Sequence, residues 1–160
     1  MTPLTRGLVL GVLQVALVSS LGAKLLVDRA IRPRVWARVV PYDPDAPVRG
    51  RYVRLRVVVK ARGVPPLARD TPVTLAVENG ELVAVEGPGA NGARVAPGPE
   101  GATVLDEPLA YFIPEHVPDP SRRAPGEELW VEVTLPREGP PRPIRLGVKK
   151  SGVLTPLALG

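Results

Sequence analysis

The side chains of this chain that could do chemistry are few. There is a single histidine, His116, and no cysteine. Thiolate catalysis, disulfides and cysteine-ligated zinc are therefore excluded, as is any multi-histidine metal site. His116 stands next to Glu115, and these two, with Asp43, are the residues able to act as general acid or base. A serine nucleophile activated by lysine would need a hydroxyl beside a buried amine. Beyond the N-terminal segment only Ser121 and Ser151 offer the hydroxyl, both in loop-like sequence, and Lys60 is the one lysine on a convincing strand. Asp43 and Asp45, which flank Pro44, could donate oxygen ligands to calcium, but such sites use larger oxygen sets; capping a turn accounts for both. Glu127 and Glu128 add carboxylates without the spacing of a glycosidase pair. Gly92, Gly98 and Gly101 lie outside any strand-to-helix transition and form no phosphate loop. No catalytic constellation, metal set or cofactor-binding motif emerges.

The elements that must position these groups begin with an apolar run, Gly7 to Val27, in which Gln14 is neutral and tolerable at mid-span and Lys24, near the end, is the one charge. About 20 apolar residues suffice to cross a bilayer, and Lys24 can extend its ammonium to the interface. No polar stripe marks it as an amphipathic soluble helix. A cleaved signal peptide is the rival, since Arg6 precedes the run and Ser20-Leu21-Gly22-Ala23 supplies small residues. The run resumes after Lys24, which favours an uncleaved anchor. Residues 1–34 then form an anchor with a basic juxtamembrane segment, and 35–160 a globular domain. Counting positive charges alone, Lys24, Arg29, Arg32, Arg34 and Arg38 put the C-terminal side in the cytoplasm.

The chain has 160 residues and a formal net charge of +5, carried mostly by arginine. Arg29, Arg32, Arg34, Arg38, Arg49, Arg51, Arg54 and Arg56 crowd one stretch, opposed by Asp43 and Asp45. This stretch follows the apolar run, so lipid headgroups, rather than nucleic acid, are the nearest anions. Amide side chains are scarce and the 21 prolines fall between apolar runs. A heat-adapted protein has this composition, as does the product of a GC-rich gene.

From Val35 onward the pattern is that of short strands. Arg51–Ala61 alternates, with Val53, Leu55, Val57, Val59 and Ala61 on one face and Tyr52, Arg54, Arg56 and Lys60 on the other. Val73–Glu78 and Glu81–Glu86 flank Asn79-Gly80, the favoured pair for a two-residue type I′ turn. Thr103–Leu105 and Leu109–Ile113 are short strands, and Leu129–Leu135 alternates again. Ile144–Val148 and Gly152–Leu157 form a last hairpin around Lys149-Lys150-Ser151. Gly87–Gly101 reads as an exposed connection rich in glycine and proline. Trp36 fits either the membrane interface or the core, and Trp130 the sheet. The predicted fold is all-β, a sandwich or partly open barrel of about seven to nine strands behind one transmembrane helix.

Two blocks carry a family resemblance. Pro41-Tyr42-Asp43-Pro44, followed by Arg49-Gly50-Arg51-Tyr52-Val53-Arg54-Leu55-Arg56-Val57, resembles the signature of the GDYXXLXY family of bacterial membrane-anchored proteins. Tyr111-Phe112-Ile113-Pro114-Glu115 is similar to that family's second, aromatic block. Gly50, Tyr52 and Leu55 are retained, whereas Arg51 replaces the motif's aspartate and Val57 its final tyrosine. The lost aspartate removes any acid–base role at that position. What the resemblance implies is a domain outside the cytoplasm, against the charge rule, in company with a multi-pass membrane protein. The interaction surface expected on this basis comprises Asp43, Arg49, Gly50, Tyr52, Tyr111 and Glu115, with Arg49 paired to Asp43 or Glu115. The competing expectations are an envelope enzyme using Glu115, His116 or Asp43, and a basic module that binds anionic lipid.

Overall fold

A computed structural model describes residues 3–42, 52–65, 69–87, 89 and 92–158. The chain folds as two compact units, 1–32 and 33–160. The first is one helix, α1 (Pro3–Ile31, 29 residues). Within it Thr5–Val27 is long and apolar enough to cross a membrane. Its leucines and valines are exposed all round, Leu8, Val18 and Leu26 among them. That is the pattern of a membrane span or a signal anchor rather than of a helix packed into a protein core.

The second unit is all-β. Its strands are β1 (Arg34–Pro41), β2 (Tyr52–Arg62), β3 (Thr71–Glu78), β4 (Glu81–Glu86), β5 (Ala93–Pro97), β6 (Thr103–Leu105), β7 (Leu109–Phe112), β8 (Glu127–Thr134), β9 (Arg142–Lys150) and β10 (Val153–Pro156). β2 organises the domain because its two halves serve different sheets. Its N-terminal half pairs with β1 on one edge and β7 on the other, within the order β10-β9-β8-β1-β2-β7. Its C-terminal half pairs with β4 and β6, and β4-β3-β5-β6 closes a ring back onto it. Closure removes two sheet edges that would otherwise be open to aggregation.

The alternation read in the sequence sets which side chains enter the core. Val53, Leu55, Val57 and Val59 of β2 are buried, as are Leu129, Val131 and Val133 of β8. They join Val35, Ala37 and Val39 of β1 and Leu146 of β9 in one cluster that continues into the ring through Val73, Ala84 and Val95. Ala61 departs from this pattern and is exposed, next to the C-terminal end of β2.

Both hairpins follow from backbone geometry. Asn79 (φ 51°) and Gly80 (φ 77°) turn β3 into β4, with Glu78 opposite Glu81. In the last hairpin the positive-φ pair is Ser151-Gly152, so the turn lies there and both Lys149 and Lys150 belong to β9. Gly87–Gly101 is not merely a connection: it contains β5, which pairs with both β3 and β6 and buries Val95 completely.

Candidate functional site: an arginine–aromatic face at the end of β1

At the C-terminal end of β1 the ladder extends one residue beyond the strand, where Tyr42 N–H donates to the Arg54 carbonyl at 3.0 Å. This places Tyr42 on the outward face, beside the outward residues of β2. Arg54 and Arg56 both lie over its ring, with Cζ 5.5 and 4.6 Å from the centroid. Arg56 Nε is buried and meets no hydrogen-bond acceptor among the described residues. The ring face supplies the negative potential that an acceptor would otherwise provide. On the far side of β2, Tyr52 is registered with Phe112 of β7. Their rings meet edge to face, 5.6 Å apart at 72°. Tyr52 is 57% exposed, Phe112 51% and Tyr42 40%, so the three rings and the exposed Arg54 form an aromatic and cationic surface, with Arg56 half-buried against the Tyr42 ring.

Of the residues expected to form one surface, Tyr52 and Tyr111 lie on opposite faces of the sheet. Asp43, Arg49 and Gly50 lie outside the described residues, and with them the proposed Arg49 ion pairs. Tyr52 faces outward. Tyr111 is registered with Val53 and packs against the core, on the opposite face. Its neighbour Phe112 takes the place beside Tyr52; the one signal for this in the sequence is that Leu109, Tyr111 and Ile113 share a face that excludes Phe112. Glu115 and His116 are exposed in the turn after β7, where Val117 N–H donates to the Pro114 carbonyl.

A separate groove of about 520 Å³ lies against the end of β1 and the β9–β10 turn. Arg38, Glu128, Lys149, Ser121 and Ser151 are among its lining residues, and neither Glu115 nor His116 is. Ser121 and Ser151 thus share one concavity with a lysine, but not the lysine that stood out in the sequence. Lys149 Nζ lies 4.5 Å from the Trp130 ring centroid rather than on a serine hydroxyl. Arg38 bridges Glu100 and Glu128, at 3.0 and 3.4 Å. Lys60 is exposed and paired with Glu81 at 2.9 Å, which is no environment for a lysine base.

Both tryptophans belong to the outward face of the sheet. Trp36 packs over Gly147, where an added Cβ would stand 2.9 Å from the indole, and Arg145 lies over its ring at 5.5 Å. Arg145 also binds the buried Glu132 at 2.7 Å. Among the described residues no cluster of three His, Asp or Glu side chains converges in the manner of metal ligands. No family model, curated protein or solved structure matches this chain.

Proposed function

We propose that the protein is a membrane-tethered binding module. Its apolar helix holds the β domain at a bilayer, outside the cytoplasm, and the face formed by Tyr42, Arg54, Arg56, Tyr52 and Phe112 engages a multi-pass membrane protein. The observation that carries this reading is the cluster of three exposed rings with Arg54 and Arg56 laid on one of them. Aromatic residues and arginine are the types that concentrate binding energy at protein interfaces, and an isolated domain gains little by leaving them in water. The multi-pass partner and the location outside the cytoplasm rest on the resemblance to the GDYXXLXY family. Tyr52 lies on the exposed face and Leu55 in the core, as their alternation in β2 requires.

The test is purification of the tagged full-length protein from its native membrane, beside the Tyr52→Ala/Phe112→Ala variant. The expected result is a multi-pass protein that co-purifies reproducibly with the wild type and is lost with the variant. Equal recovery with both proteins, or none with either, would sink the proposal. Protease protection on intact cells decides orientation separately: digestion of the β domain from outside is expected.

A further inference from the structure

The opposite end of the same sheet has a different character. β1 begins at Arg34, and only Arg32 and Pro33 separate it from the helix. From Val27, the last residue of the apolar span, the helix continues to Ile31 at about 1.5 Å per residue. The chain then covers at most about 3.5 Å per residue to Arg34. The start of β1 therefore lies within about 16 Å of the end of the apolar span. This is comparable with the thickness of a headgroup layer plus one screening length.

Tertiary pairing brings more charge to this end than the local sequence supplies. Arg34 is registered with Thr134 of β8, and Thr134 with Arg142 of β9. With neighbouring strands about 4.8 Å apart, the Arg34 and Arg142 backbones are about 10 Å from each other. Leu135 N–H donates to the Pro33 carbonyl, which fastens the β8–β9 connection to the point where the tether joins. That connection carries Arg137. Arg34, Arg137 and Arg142 are exposed, and Glu138 is the one carboxylate in the connection. Neither Arg137 nor Arg142 forms an ion pair with any described residue.

We infer that Arg34, Arg137 and Arg142 form a basic collar that binds the phosphates of anionic lipid headgroups and seats the β domain on the bilayer. Guanidinium forks match phosphodiester oxygens, and the short tether keeps the collar within reach of them. The inference rests on the membrane-tethered reading. It adds a consequence: β1 spans eight residues, about 26 Å, so the aromatic face lies at the other end of this strand from the collar and is left free of it.

The chain lacks cysteine, so a single introduced thiol can carry a spin label. Labels at Pro140→Cys, in the β8–β9 connection, and at Val153→Cys, beyond the far end of β9, are compared in full-length protein. The protein is held in nanodiscs of phosphatidylcholine alone or mixed with phosphatidylglycerol. The expected result is a several-fold loss of access to a water-soluble relaxation agent at position 140 when phosphatidylglycerol is present. Added salt reverses it, and position 153 does not respond. Arg137→Gln/Arg142→Gln abolishes the response, whereas Arg69→Gln/Arg122→Gln, which removes the same charge elsewhere, preserves it. Equal access in both lipids, or an equal effect of the two double variants, overturns the collar. A protein that elutes apart from the discs overturns the tether as well, and so separates the two failures.

Discussion

Arginine is used in two ways at the two ends of β1. At the tether end Arg137 and Arg142 are exposed and form no ion pair with a described residue, and the segment Thr134–Pro143 that carries them contains no aromatic residue. At the far end Arg54 and Arg56 lie over Tyr42, next to the Tyr52–Phe112 pair. A guanidinium in water is a flexible, screened charge suited to a diffuse anionic surface. A guanidinium laid on a ring is held in one orientation and partly stripped of water, as a specific protein contact requires. The same residue type therefore stands in water at one end and against a ring at the other, and this difference underlies the two roles we propose.

The largest test of this contrast removes the sheet that separates the ends. Leu55 is wholly buried in β2, opposite Pro41 on one edge and Leu109 on the other. Leu55→Ala should cost about 2–5 kcal/mol, measured by urea unfolding, and should abolish partner capture through the aromatic face. Full stability in this variant would show that the two halves of β2 do not share one core.

A smaller effect is expected where an arginine-on-ring contact is built into the sheet itself. Gly147→Val would drive a side chain into the Trp36 indole and toward the Thr155 carbonyl. Overpacking of this kind costs about 1–3 kcal/mol, and the displaced indole should shift the tryptophan emission. Unchanged emission and stability would mean that Trp36 repacks freely and that Arg145 is not held by it.

The smallest change sharpens the comparison most. Arg56→Ala should lose about 0.5–1 kcal/mol through its ring contact, whereas Arg137→Ala and Arg142→Ala should stay within about 0.5 kcal/mol of the wild type. Equal losses at the two ends, measured by the same unfolding titration, would erase the distinction between them.

Some of this arrangement could be read residue by residue. The two-residue period of Val53–Val59 and of Leu129–Val133 named the core because alternation is a property of a single strand. Asn79-Gly80 named its turn because both positions need positive φ. β5 escaped notice because Ala93-Arg94-Val95-Ala96-Pro97 holds only one large apolar residue, amid glycine and proline; its place comes from β3 and β6 on either side. Tyr111 and Phe112 were equally plausible surface residues as types. Pairing of Tyr111 with Val53 turned it inward and left Phe112 beside Tyr52.

The apolar helix, the all-β character of the domain and the inward rows of valine and leucine follow from local pattern, since length, hydropathy and periodicity act over a few neighbouring residues. The gathering of Arg137 and Arg142 at Arg34, and of Tyr42 with Arg54 and Arg56, depends on strand order and register. Those are settled by contacts between residues far apart in the chain, and a slip of one residue would send each side chain to the other face. Composition announced a basic protein; the pairing of β1 with β2 and β8 divided its arginines between two ends.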